Sequence, residues 1–244
     1  MKVCSVSDSI NWKSGGAATF EDSILQALSQ MDIGHDCYFL GLNSNLNDQC
    51  HIKQISVNKK QSYFSRLFSK KRSISDLLIE EYNIDFVWAI SPGSIIPDLK
   101  LPYALTVWDL AHRGLAFFPE FMTSGWSYLD REKHYQRYLV PASVVITGNQ
   151  VGKNEIKNFY NIPDHRIKVI PFSVPPFVSE DMHLVNVYKK WNLLDDFLFY
   201  PAQFWPHKNH VRVLKAFKIL LRLGYKLILV FSGADKGNLN YIKE

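Results

Sequence analysis

The stretch that decides the fold is Lys2-Val3-Cys4-Ser5-Val6, an apolar run followed by a polar loop over residues 8–16. Such a short apolar run is typical of a β-strand. After the loop, apolar residues recur at the spacing of one helix face, at Phe20, Ile24, Leu28 and Met31. The chain therefore opens with a strand, a loop and a helix, which is the first half of a β-α-β unit.

The same alternation continues along the chain. Further strand-like runs cover residues 35–40, 85–90, 103–109, 143–147, 167–170, 197–202 and 226–232. Several are apolar at every position, as expected for parallel strands that are covered on both faces. Helical patterns lie between them, most clearly over residues 126–139, 152–160 and 207–223. This order predicts a doubly wound α/β architecture, which binds ligands at the carboxyl ends of its strands.

Length and composition are those of an ordinary globular protein. The chain has 244 residues, of which 47% are hydrophobic and 21% charged, so wholesale disorder and collagen-like repetition are not expected. The longest apolar runs have five residues, whereas a membrane-spanning helix needs about 20. The apolar stretch after Met1 is also too short for the core of a signal peptide, so a cytoplasmic location is predicted.

Cysteine and charge patterns narrow the chemistry further. Cys4, Cys37 and Cys50 show no Cys-x-x-Cys spacing, which argues against a disulfide framework and against a zinc site. The net charge is +5, and residues 176–244 hold ten basic against six acidic residues. A basic second part favours an anionic ligand or surface.

A proline-rich stretch, Pro171-Phe172-Ser173-Val174-Pro175-Pro176, predicts the domain boundary. The first domain then covers residues 1–175, as a complete Rossmann-like doubly wound domain. Residues 176–244 hold two strands and one complete helix, which is too little for an independent core. The second domain is therefore expected to be an incomplete Rossmann-like domain.

Three segments are candidates for a binding or catalytic site. Ser14-Gly15-Gly16 separates the first strand from the first helix, where free N–H groups attract phosphate or carboxylate. A tight turn without a ligand is the alternative, and the absence of a G-x-G-x-x-G pattern gives no support to a dinucleotide site.

Asp109 and His112 follow an apolar strand, where a doubly wound fold places reactive groups. A turn-capping Asp and a backbone-bonded His are the alternative there.

The most informative segment runs from Tyr200 to His210, with the sequence YPAQFWPHKNH. It leaves a strand, turns at Pro206 and places Lys208 at the start of an amphipathic helix. The ammonium group and the helix N-terminus would then converge on one anion, and a pyrophosphate would suit such a site. His207 and His210 could pair on a helix face, but no third ligand is near, so no metal site is predicted.

Residues Lys59 to Arg72 form a basic segment with six basic and no acidic residues, interleaved with aromatic side chains. As a helix, this segment could rest on an anionic membrane. The alternative is a solvated helix that packs its aromatic side chains on the domain. Nucleic-acid binding is not expected, because no wide basic surface and no known module are present.

Taken together, four segments resemble family 4 glycosyltransferases of the GT-B fold. They are the Gly15-Gly16 loop, the stretch from Thr106 to Arg113 with Phe118-Pro119-Glu120, the strand end Val145 to Asn149, and the segment from Pro201 to His210. The resemblance implies two Rossmann-like domains. It also implies transfer of a sugar, of the hexosyl type, from a nucleotide-sugar donor to a polysaccharide or lipid-linked acceptor, with retention and without a cofactor or essential metal.

The resemblance assigns roles by position. Gly15 and Gly16 would approach acceptor and donor phosphates, Asp109 and His112 would line the sugar site as catalytic residues, and Lys208 with Asn209 would bind the donor diphosphate. The sequence departs from the family at three places. Trp108 and Gln203 stand where many members have His and Arg, and the Glu-(seven residues)-Glu element would lie beyond Glu244.

The resemblance thus leads to a glycosyltransferase of cell-surface polysaccharide biosynthesis, truncated within its donor domain and with little or no activity as this chain. It would be cytoplasmic and, through the basic segment 59–72, peripheral on the inner face of the plasma membrane. The alternative is a noncatalytic module that binds an acceptor or a phosphate.

Overall fold

The computed structural model describes residues 1–7, 16–30, 34–41, 52–55, 73–92, 99–122, 126–172, 187–193 and 197–244. The chain forms two compact units. The first consists of residues 1–110 and 132–175, and the second of residues 111–131 and 176–244. The assignment of residues 1–175 to an acceptor-side domain and of 176–244 to part of a donor domain stays a prediction.

The first unit is built on a seven-stranded parallel sheet. Its strands are β1 (Lys2–Ser7), β2 (Asp36–Gly41), β3 (Lys53–Ile55), β4 (Phe86–Ala89), β5 (Tyr103–Val107), β6 (Val144–Thr147) and β7 (Ile167–Val169). The strand order is β3-β2-β1-β4-β5-β6-β7, so the direction of winding reverses between β1 and β4. The predicted doubly wound α/β sheet is confirmed. In sheets of this kind, ligands bind at the carboxyl ends of the strands next to such a reversal.

Eight α-helices are present in the described part of the chain. They are α1 (Gly16–Gln30), α2 (Ile74–Glu80), α3 (Ala111–Gly114), α4 (Tyr128–Leu139), α5 (Gln150–Tyr160), α6 (Val187–Trp191), α7 (His210–Arg222) and α8 (Leu239–Lys243). Local sequence explains several of the helix ends. Ser73 and Asp76 form a capping box at the start of α2, and Asn161 ends α5 in the left-handed conformation with φ 53°.

The core of the first unit lies on both faces of the sheet. All five residues of β5 are buried, and so is the thiol of Cys4, where burial raises the pKa to about 12. The buried residues of α1 are Ala18, Glu21, Ser23 and Leu25. The predicted face of α1 is therefore shifted, because Ile24 and Leu28 are only partly buried against the cluster around Leu25.

The second unit contains a two-stranded parallel sheet of β8 (Phe197–Pro201) and β9 (Ile228–Ser232). Two single-turn 3-10 helices, Pro119–Phe121 and Pro206–Lys208, also belong to it. The predicted helix over residues 207–223 begins three residues later, at His210. The reason is that Asn209 adopts the left-handed conformation, with φ 51°. Its backbone is therefore not helical, and it separates the 3-10 turn from α7.

Several predictions concern residues outside the described ranges: Gly15 in the first loop, Met31, Cys50, the basic segment 59–72 and the boundary at residues 175–176. Strand β3 was not foreseen, because its sequence Lys-Gln-Ile has no apolar run. Within the described ranges, no helix has both the length and the apolar character to cross a membrane.

Candidate functional site

The main chain of Lys208 is held on both sides. Its N–H donates to the carbonyl of Trp205 at 3.1 Å, and its carbonyl accepts from the Tyr200 hydroxyl at 2.9 Å. The Lys208 side chain is exposed, and none of the ion pairs among the described residues involves it. The turn after β8 therefore presents an available ammonium group on an ordered backbone.

Asn209 separates Lys208 from helix α7. Asn209 is the N-cap of α7, and its Oδ1 accepts from the N–H of Arg212 at 3.2 Å. One of the free N–H groups of the helix is thus satisfied by the protein itself. Lys208 lies one residue before the cap. The predicted convergence of its ammonium group and the helix N-terminus on one anion stays a prediction. Binding of phosphate by Asn209 stays a prediction.

His207 is joined to a glutamate from a distant part of the sequence. Glu120 Oε1 accepts from the His207 N–H at 3.1 Å and lies 2.5 Å from His207 Nδ1. The Glu120 side chain is only 6% exposed and that of His207 23%. Phe118 and Phe121 flank the imidazole, with ring centroids 6.2 and 6.1 Å away. His207, considered above as one of a metal-ligating pair, is instead the partner of a carboxylate.

His210, the other member of that pair, is a core residue. Its ring is fully buried, stacks on Phe204 at 4.6 Å and meets the edges of Tyr200 and Phe231, each at 5.1 Å. Nε2 lies 3.3 Å from the carbonyl of Ala202. Burial lowers the pKa of His210, so the ring is neutral at pH 7 with Nε2–H as the donor. Among the described residues, no group of three or more His, Cys, Asp or Glu is placed to hold a metal ion.

The loops after β8 and β9 pack closely together. A Cβ atom on Gly233 would lie 2.3 Å from the carbonyl oxygen of Ala202, so only glycine fits there. Next to this contact, the N–H of Phe204 donates to the carbonyl of Ala234 at 3.0 Å. The two loops thus form one continuous carboxyl edge of the small sheet.

A second cation lies at this edge. Lys236, in the loop after β9, has its Nζ 5.5 Å from the ring centroid of Trp205. The Trp205 indole N–H donates to Gln203 Oε1 at 2.9 Å. Gln203 stands where the resemblance expects an arginine, and its side chain supports Trp205 instead. Sequence reasoning missed Lys236 because it lies 28 residues after Lys208, in another loop.

The two residues predicted for catalysis lie in different surroundings. Asp109 is the second residue after β5 in the first unit and is exposed. His112 belongs to α3 in the second unit and is fully buried, with its ring centroid 5.4 Å from that of Tyr128. Burial leaves His112 with no surface for a ligand in this structure. Both catalytic roles stay predictions.

The carboxyl edge of the first unit's sheet combines a buried carboxylate with aromatic rings. At the end of β1, the Ser7 hydroxyl donates to Glu21 Oε2 at 2.8 Å. Trp108, at the end of β5, meets the ring of Phe20 edge-on at 6.0 Å. Gly16 begins α1, and a Cβ there would meet no atom within 4 Å. Its space is open, but its predicted contact with phosphate stays a prediction.

No protein-family model matches the chain, and no curated protein matches its sequence. Solved structures do match it. A glycosyltransferase from Rickettsia africae aligns over 99% of this chain and 70% of its own length, with a TM-score of 0.52 and 14% identity. Anabaena HepE in complex with UDP and glucose aligns over 100% of this chain and 64% of its own length, with a TM-score of 0.60 and 14% identity.

A second HepE structure, in complex with UDP-glucose, aligns over 99% of this chain and 72% of its own length. Its TM-score is 0.51, again at 14% identity. The chain thus spans between 64% and 72% of the length of these proteins. At this level of identity the comparison concerns the fold, and the chain has the α/β fold of GT-B glycosyltransferases.

Proposed function

We propose that this chain is a glycosyltransferase that takes its sugar from a nucleotide-sugar donor. The observation that carries the proposal is Lys208, whose exposed ammonium group sits on a backbone fixed from both sides at the carboxyl end of β8. The fold supports the same conclusion, and HepE, which shares it, has been crystallised with UDP and with UDP-glucose. A nucleoside diphosphate is therefore the ligand proposed for this edge of the sheet.

The chemistry explains why a lysine is useful there. When the bond between sugar and phosphate breaks, the departing diphosphate gains negative charge. A cation that is already in place stabilises this charge more than it stabilises the intact donor, which is worth about 3 kcal/mol. Lys236 offers a second positive charge at the same edge, where Gln203 replaces the expected arginine.

The finer parts of the proposal follow the family resemblance. They are transfer of a hexosyl group with retention, without a metal, to a polysaccharide or lipid-linked acceptor in cell-surface polysaccharide biosynthesis. By the same resemblance Asp109 and His112 would line the sugar site, for which the buried His112 would first have to become accessible. Contact of the basic segment 59–72 with a membrane is a separate proposal, and sedimentation with anionic vesicles tests it.

Calorimetric titration with UDP, GDP and ADP tests the diphosphate site. We expect at least one of them to bind, and Lys208→Ala to weaken that binding by about tenfold, as expected for loss of one hydrogen bond between charged groups. Lys218→Ala is the matched control, because it removes the same charge from an exposed position on α7. Equal affinities for the wild type and Lys208→Ala would reject the site.

A noncatalytic phosphate-binding or acceptor-binding module is the second candidate. The full burial of His112 favours it, since a buried imidazole has no contact surface for a sugar. Incubation with radiolabelled nucleotide sugars separates the two candidates. Binding through Lys208 without transfer or hydrolysis supports the module, whereas turnover that is lost in Lys208→Ala supports the enzyme.

A further inference from the structure

The Glu120 carboxylate contacts both the main chain and the side chain of His207. One carboxylate oxygen, Oε1, accepts from the main-chain N–H and also lies within hydrogen-bond distance of Nδ1 of the ring, at 3.1 and 2.5 Å. The link joins residues 87 positions apart in the sequence, within the second unit. A contact that fixes main chain and side chain of the same residue leaves that residue little freedom.

The contact between Glu120 and His207 lies in a largely buried, partly aromatic environment. The Glu120 side chain is 6% exposed, and burying a carboxylate is costly unless it is hydrogen-bonded. Phe121 contacts the imidazole on one side and carries the guanidinium of Arg131 on its ring, with the carbon 5.3 Å from the centroid. His207 therefore supplies bonds that Glu120 needs, and Glu120 fixes the position of His207 in return.

His207 directly precedes Lys208 in a single 3-10 turn of three residues. A turn this short holds its shape poorly without outside contacts. The Tyr200 hydroxyl donates to the carbonyl of Lys208, and Glu120 accepts from the N–H of His207, the residue before it. These two contacts hold the turn from outside. Removing Glu120 would leave Tyr200 as the contact that holds this turn from outside. The turn would then be less constrained, and more orientations would be open to the long side chain of Lys208.

We propose that Glu120 is a positioning residue for diphosphate binding, which acts through His207 to fix the backbone from which Lys208 reaches its ligand. This inference rests on the proposed function. Glu120 makes no contact with the ligand in this scheme. Its effect on affinity must therefore pass through Lys208, which distinguishes it from a residue that merely supports the fold.

A double-mutant cycle read by UDP titration tests the dependence on Lys208. We expect Glu120→Ala to weaken UDP binding by about tenfold and Glu120→Gln, which keeps an acceptor for the His207 N–H, by about threefold. In a Lys208→Ala background, Glu120→Ala should change the affinity by less than about twofold, because two residues that act as one unit are not additive. GDP and ADP replace UDP if the wild type prefers another base.

Amide hydrogen exchange provides a readout that does not need a ligand. The His207 amide should exchange faster in Glu120→Ala than in the wild type, while the amides of β5 stay unchanged. Glu80→Gln, on the exposed surface of α2, is the control and should alter neither exchange at His207 nor UDP affinity. Circular dichroism confirms that each variant is folded, and Glu120→Gln carries the test if Glu120→Ala is not.

The outcomes separate the two proposals. If Glu120→Ala weakens UDP binding as strongly in the Lys208→Ala background as in the wild type, the positioning role is overturned. It is overturned equally if folded Glu120→Ala binds UDP as tightly as the wild type. If the wild type binds none of the three diphosphates, or if Lys208→Ala binds as tightly as the wild type, the proposed function itself fails. That failure is recognisable because it appears with Glu120 intact.

Discussion

The two parallel sheets of this protein are made from similar strands but are buried to different degrees. In β5 every residue is buried, whereas in β8 none is, although both sequences are strongly apolar. Leu105 of β5 is 0% exposed and Leu198 of β8 is 40% exposed. An apolar strand thus predicts a sheet but does not tell how much of that sheet is covered.

The difference in burial means that the two sheets are stabilised in different ways. Burial on both faces fixes the first sheet, since each buried leucine contributes about 2 kcal/mol from the removal of apolar surface from water. The second sheet has less of this contribution, and its carboxyl edge depends on individual contacts. These are the pairs Gly233 with Ala202, Tyr200 with Lys208 and Glu120 with His207.

The largest effect is expected from a matched pair of leucine substitutions. Leu105→Ala removes a fully buried side chain and leaves a cavity, so it should lower the free energy of unfolding by about 3 kcal/mol. Leu198→Ala should cost less than about 1 kcal/mol, because that side chain is already partly in water. Urea unfolding followed by circular dichroism measures both.

An equal loss of unfolding free energy in Leu105→Ala and Leu198→Ala would contradict the difference in burial between β5 and β8. It would mean that β8 is covered in solution as fully as β5. Val140→Ala, at an exposed position after α4, shows how large the change is for a solvent-facing apolar residue.

A smaller, local effect is expected at the carboxyl edge of the second sheet. Gly233→Ala introduces a Cβ that would lie 2.3 Å from the Ala202 carbonyl oxygen and 2.8 Å from Gln203 Cα, both in backbone that cannot easily move. Overpacking of this kind costs about 2 kcal/mol. We expect faster amide exchange in β8 and β9 and no change in β5.

Gly114→Ala is the control for this substitution, because a Cβ there would meet no atom within 4 Å. Its effect on stability should stay within about 1 kcal/mol, the usual difference between Gly and Ala in a helix. Faster exchange in β5 as well as β8 on Gly233→Ala would show that the two units open together, against the expected local response.

The sequence predicted the fold well because the signal for buried parallel strands is local. Seven of the predicted runs coincide with β2 and β4 to β9, within a few residues at each end. The start of α7 was placed too early, because the left-handed conformation of Asn209 depends on contacts that periodicity does not show. Strand β3 was missed, since pairing with β2 and not an apolar run makes it a strand.

The candidate site was only partly predictable. Lys208 was found because it is near a strand end and a helix start, which are local signals. The partnership of Glu120 with His207 was not found, because no spacing rule connects residues 87 positions apart. One hint was present: a glutamate between Pro119 and Phe121 stands in an apolar context, where a carboxylate needs a partner.

The smallest expected effect is a pH dependence that is confined to the second unit. Burial lowers the pKa of His210 below its ordinary value of 6.5, although the hydrogen bond with the Ala202 carbonyl acts in the opposite direction. The unfolded chain therefore takes up a proton at a higher pH than the folded chain. The His210 contribution to stability is complete above pH 6.5 and decreases as the pH falls below that value.

His210→Phe isolates this contribution, because phenylalanine keeps an aromatic ring next to Phe204 but does not titrate. The free energy of opening of β8 and β9 should fall more in the wild type than in the variant between pH 7.5 and pH 5.5. Amide exchange, corrected for the intrinsic rate at each pH, measures both. Parallel curves would mean that other groups govern the acid response, whereas a difference restricted to β8 and β9 would show that protonation of the buried His210 weakens the second sheet and leaves the first unchanged.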